Sequence, residues 1–162
     1  GDVLTALNEI ISKLRSGTLP DSMQTLYVKF LIHLVGDIHC PMHTGHLSDL
    51  GANKISVTWF GKPTNLHAVW DDMLVESAKK WSYTEWVDNI DILDRKRKQQ
   101  LATGTPADWL TETHAVCEKI YEDTPENSEL SYQYMFDNYP VVEQQLLRAG
   151  LRLADILNSI YK

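Results

Sequence analysis

Two apolar runs in this chain, Leu31-Ile32-His33-Leu34-Val35-Gly36-Asp37 and Leu66-His67-Ala68-Val69-Trp70-Asp71, each carry a histidine followed four residues later by an aspartate. Apolar residues at helical spacing predict helices through both runs. Positions four apart on a helix share one face, with Cβ atoms about 5–6 Å apart, so each His–Asp pair can reach a common ion. Burying an unpartnered ionisable group costs several kcal/mol, so polar residues inside an apolar run call for hydrogen bonds, an ion pair or a metal. A single His-x3-Asp is more often an exposed or capped polar pair; its repetition inside two apolar runs favours a metal site. Five of the six histidines (His33, His39, His43, His46, His67) fall between residues 33 and 67. His33, His43 and His67 with Asp37 and Asp71 offer three imidazoles and two carboxylates. Zinc accepts such donors at about 2.0–2.2 Å, and two facing helical pairs could hold more than one ion. His39 reads as a packing or supporting histidine, and His46 and His114 as surface residues.

Apolar periodicity predicts helices over 3–14, from a Ser22 cap to about 39, from Thr64 or Asn65 to about 77, and over 84–100, 106–122 and 131–161. The second carries Leu26, Val28, Phe30, Leu31, Leu34 and Val35 so densely that it should be mostly buried. The last should break or kink at Pro140, which lacks a backbone donor. Residues 44–53 read as a loop, 54–60 (KISVTWF) as a strand without an obvious partner, 61–64 as a turn and 123–130 as a polar connection. No internal repeat or dividing linker interrupts this mainly α chain of 162 residues, so one domain is expected. Fifteen Lys and Arg against twenty-two Asp and Glu leave a net charge of −7, so a polyanion could be engaged only at a local site. No run approaches a membrane span, and Gly1-Asp2-Val3 lacks the character of a signal peptide. Cys40 and Cys117 permit at most one disulfide, and no Asn-x-Ser/Thr sequon occurs.

The run from Phe30 to His43 (FLIHLVGDIHCPMH), then Asp49-Leu50-Gly51-Ala52-Asn53, then Asn65-Leu66-His67-Ala68-Val69-Trp70-Asp71, resembles the S1/P1 nuclease family in motif order and intervals. The resemblance is sharp over about residues 26–76. It implies a helical single domain of the phospholipase C/P1 nuclease type with a short strand or hairpin near 54–60, and up to three zinc ions in a cleft. His43, His67 and Asp71 match the protein ligands of one ion. His33 matches a ligand of a second, and Asp37 the carboxylate that bridges it to the third. Asn53 matches the residue that holds the scissile phosphate, and Leu50 lies near the wall of the base pocket. The implied substrates are single-stranded DNA or RNA and 3′-nucleotides, attacked by metal-activated hydroxide to leave 5′-phosphate products. Periplasmic or secreted location is implied as well. Trp59, Trp70 and Tyr83 could be offered for base stacking, although aromatic residues beside helical ligands are more often core.

Cys40 stands where the family usually has glutamine, and Ala52 replaces the second glycine before Asn53, adding a Cβ near a backbone that substrate could approach. The family's remaining ligands precede the segment matching His33, where this chain has 32 residues and no histidine. The chain therefore looks like a C-terminal portion, in which one zinc site keeps its full ligand set and catalysis depends on the N-terminal segment of the same protein. A zinc-dependent phospholipase C and a non-catalytic helical binding module are the alternatives.

Overall fold

The computed structural model describes residues 2–161. Asp2 caps α1 (Val3–Arg15) by accepting from the Thr5 backbone N–H. The helix lays Leu7, Ile10, Ile11 and Leu14 against α2 (Asp21–Asp37) and the C-terminal part of α8 (Tyr132–Ile160). With Leu31, Val35, Ile38, Trp109 and Ile156 they form one of two cores. Ser22 does not cap α2, which starts one residue earlier, after Pro20. Nor is α2 mostly buried: Leu31 and Val35 are covered, whereas Leu26 and Phe30 are 44% and 46% exposed. Only one side of α2 is packed. Leu26, Phe30, His33 and Asp37 recur at helical spacing on the other side; His33 is exposed with Leu26 and Phe30, and Asp37 is half-buried. The expectation that apolar neighbours bury the first His–Asp pair therefore fails.

The second core lies beneath a three-stranded sheet ordered β2-β1-β3. The strand expected at 54–60 is β1 (Ser56–Trp59), and its partners come from segments read as a turn and a connection. It pairs antiparallel with β2 (Lys62–Asn65) and parallel with β3 (Glu129–Leu130). The turn itself is the dipeptide Phe60-Gly61, both at positive φ (50° and 76°), a geometry that suits the twist of a tight hairpin. Val57, Trp59 and Leu130 pack with Leu66, Val69, Trp70, Leu74, Cys117, Ile120 and Val142.

After β2, Asn65 caps α3 (Leu66–Ala68). A π-helical turn (Val69–Met73) separates it from α4 (Leu74–Ala78), so the helix expected from 65 to 77 is interrupted at its centre. The helix expected over 84–100 is two: α5 (Tyr83–Ile90), with a Ser82/Glu85 capping box, and α6 (Arg95–Ala102), which Asp94 caps anew. A capping box of Thr105 and Asp108 starts α7 (Pro106–Asp123). Helix α8 runs unbroken through Pro140, contrary to the expected break. Its long apolar stripe reaches both cores, and the packing of that stripe outweighs one missing backbone bond.

Candidate metal centre

Between the cores runs the segment Asp37–His43, tied to one by Ile38 and to the other by Met42. Its middle is held by a buried polar network. The Gln145 amide donates to the His39 carbonyl (2.9 Å) and to Thr113 Oγ1 (3.2 Å), and Arg152 Nη1 lies 3.0 Å from His39 Nε2. His39 Nδ1 donates to the Val35 carbonyl at 2.7 Å. Both ring nitrogens are thus committed to protein partners, as expected for a packing histidine. Burial, with Arg152 alongside, pushes its pKa down to about 4.

Pro41 opens a 3-10 turn (Pro41–Thr44) that turns His43 back over the end of α2. His43 Nδ1 lies 3.1 Å from the Asp37 carbonyl and 2.9 Å from Asp37 Oδ1. A carbonyl can only accept, so Nδ1 carries the proton and the lone pair of the neutral ring points from Nε2. That Nε2 faces Asp71 Oδ1 at 3.3 Å. Two lone pairs at this distance repel unless a proton or a cation lies between them. Bond lengths near 2.0–2.2 Å put neighbouring donors of a tetrahedral zinc about 3.3–3.6 Å apart, so the pair fits around a metal ion.

His67 repeats the arrangement. Its Nδ1 donates to the Gly51 carbonyl at 2.7 Å, which again leaves Nε2 as the free donor, and its ring centroid lies 5.3 Å from that of His43. Metal-binding histidines are oriented by such Nδ1 bonds to carbonyls. His67 and Asp71 themselves form no ion pair among the described residues. Asp71 lies within the π turn and meets His43. The structure thus brings Asp37, His43 and Asp71 into contact and sets His67 beside them. His33 makes no hydrogen bond or ion pair among the described residues.

The Gly51 carbonyl is offered by a strained loop. Leu50, Gly51 and Ala52 all adopt left-handed backbone conformations (φ 60°, 63° and 64°). Asp49 holds them: its carboxylate accepts from the Ala52 N–H (2.7 Å) and the Tyr121 hydroxyl (2.9 Å), and its carbonyl accepts from Lys54 N–H. His46 stacks on Tyr121 and pairs with Glu118 at 2.6 Å, so this surface histidine braces the loop against α7. A Cβ on Gly51 would stand 2.5 Å from the Met42 carbonyl. The Ala52 methyl, by contrast, is wholly buried in the second core. Leu50 is 57% exposed, and the exposed Asn53 donates from its side chain to the Leu50 carbonyl at 2.9 Å. Trp59 and Trp70 are core residues bonded to Ser77 and Tyr134, while Tyr83 is exposed at the start of α5.

Cys40 joins this group without having been a candidate on sequence grounds. Its Sγ, His43 and Asp71 offer donor atoms all within 4.8 Å of one another. Burial, reinforced by the Asp71 carboxylate, pushes the thiol up to about 12. The signal available beforehand was its place between Asp37 and His43. Cys117 is a free thiol buried in the second core.

Comparison with known proteins matches the S1/P1 Nuclease family over residues 1–162. The chain is 35% identical to Endonuclease 3 of Arabidopsis thaliana, an alignment covering 82% of this chain and 50% of that protein. It is 32% identical to Endonuclease 4 of the same plant (90% and 54%) and 32% identical to Nuclease S1 of Aspergillus oryzae (82% and 53%). The chain spans about half the length of the curated relatives it matches.

Proposed function

This chain belongs to the S1/P1 nuclease family, and we propose that it supplies part of a zinc-dependent phosphoesterase that cleaves single-stranded nucleic acid, 3′-nucleotides or both and leaves 5′-phosphate products. The observation that supports this most directly is the orientation of His43 and His67. Each donates Nδ1–H to a backbone carbonyl and keeps Nε2 free, and the first of them faces Asp71 at 3.3 Å.

In this reading His43, His67 and Asp71 hold one zinc, and His33 and Asp37 contribute to the neighbouring ions. Bound there, zinc lowers the pKa of water toward neutrality and stabilises charge on the departing oxygen. The protein's own work is positional. The carbonyls of Asp37 and Gly51 fix the imidazole tautomers, and the left-handed loop ties the Gly51 carbonyl to the Leu50 and Asn53 side chains. One backbone segment thus orients a metal ligand and presents the residues assigned to phosphate (Asn53) and base (Leu50). Zinc also supplies the local positive charge that a chain of net charge −7 lacks.

The open side of α2 supports a role for the N-terminal segment of the same protein, because Leu26 and Phe30 lie in line with His33 and Asp37. A periplasmic or secreted setting accompanies this reading, and no helix among the described residues is long and apolar enough to cross a membrane.

Elemental analysis of the exhaustively dialysed chain tests it. About one zinc per chain, lost in His67→Ala, is expected; no metal in either protein overturns the ligand assignment. Denatured DNA should be cleaved when the chain is joined to its own N-terminal segment, and a chelator should abolish that cleavage.

A further inference from the structure

Cys40 follows the last turn of α2 in an extended conformation (φ −74°, ψ 119°), immediately before Pro41 begins the turn that carries His43. This places its sulfur beside the His43/Asp71 pair: Sγ lies 3.9 Å from Asp71 Oδ1, and one donor atom from each of Cys40, His43 and Asp71 lies within 4.8 Å of the others. Sulfur at about 2.3 Å and oxygen or nitrogen at about 2.0–2.1 Å from a tetrahedral zinc stand roughly 3.3–3.7 Å apart. The observed separations need only a small side-chain adjustment to match. Three chemically different donors converge on one point, and among the described residues no lysine or arginine pairs with either carboxylate, Asp37 or Asp71.

We propose that Cys40 Sγ is a direct ligand of the ion held by His43 and Asp71, which makes this a mixed sulfur, nitrogen and oxygen site selective for borderline-soft divalent cations such as zinc, cobalt and cadmium. The proposal rests on the metal reading given above. Binding forms the Sγ–metal bond and releases the thiol proton to solvent, with no change of oxidation state. Cys40, His43 and Asp71 then give this ion three protein donors, with the His67 ring set beside that of His43. Cys40 therefore tightens the protein's hold on this ion and adds a thiolate to the donors that surround its remaining position.

Cobalt(II) tests the assignment independently of activity. The reduced chain is loaded anaerobically and bound cobalt is counted by elemental analysis, while the absorption spectrum is recorded for the wild type and for Cys40→Ser and Cys40→Ala. A near-ultraviolet thiolate-to-cobalt band in the wild type is expected, absent from both variants. The variants should still take up cobalt, with affinity weakened about tenfold or more, a floor set by the loss of mere supporting partners. Cobalt bound to the wild type without that band would overturn the role of Cys40 and leave the His43/Asp71 reading standing. A band that survives in folded Cys40→Ser would assign the sulfur to Cys117 and also overturn it. Failure of the wild-type chain to retain cobalt would overturn both.

Discussion

At Gly51 two constraints coincide, a left-handed backbone and a carbonyl 2.5 Å from where a Cβ would stand. Gly61 shares the first constraint but has open space around it. Gly51→Ala should therefore lower stability by about 3 kcal/mol and Gly61→Ala by about 1 kcal/mol, as read by urea unfolding; equal losses would show that the Met42 carbonyl yields freely. His39 carries a pH dependence of definite sign. Its pKa in the fold is about 4, below the value near 6.5 of an unfolded chain, because it is buried beside Arg152. Acid therefore protonates the unfolded chain first. The stabilisation is complete above about pH 6.5 and is lost as pH falls toward 4. Between pH 7.5 and 5 the wild type should lose about 2 kcal/mol more than His39→Gln; parallel pH profiles would contradict this.

Interrupted and continuous helices follow from local chemistry competing with packing. Ser82/Glu85 and Thr105/Asp108 supply two reciprocal capping boxes, and Asp94 restarts a helix that apolar periodicity alone would carry through. The reverse holds at Pro140, where burial along α8 sustains a helix that proline disfavours. Replacing it should release that strain: Pro140→Ala is expected to raise stability by about 1–3 kcal/mol in thermal or urea melts, and a lower melting temperature would mean that a bend at this point is needed by the packing. The π turn at Val69–Met73 had no sequence signal. It carries Asp71, which meets His43 from there.

Across the whole molecule, the site sits where two cores meet, so metal binding should couple to global stability. Zinc at 100 times its dissociation constant should stabilise the chain by about 2.7 kcal/mol, and a chelator should remove that gain; a melting temperature indifferent to both would deny the coupling. The uncovered side of α2 makes the opposite prediction. Leu26→Ser with Phe30→Ser should change the stability of the isolated chain by less than about 1 kcal/mol, because neither residue belongs to a core. In the proposed assembly with an N-terminal segment, the same pair should weaken docking, measured by pull-down of the two pieces.

Helical class and the position of most helices were legible in the sequence, and so were the proposed donors, because apolar periodicity and His/Asp spacing are local properties of a chain. The motifs around His33, Asp37, His43, Asn53, His67 and Asp71 could be recognised without coordinates. The partners of β1, drawn from 62–65 and 129–130, could not, since they join segments whose pairing is set by packing at long range. Likewise, the flanking residues of His33 suggested burial, but a helix is buried only where another element covers it, and the open side of α2 has no such cover among the described residues. Which donors meet was also a tertiary outcome: His43 reaches Asp71, and Cys40 joins them, because two separately packed cores hold the ends of one short segment against the turn that carries Asp71.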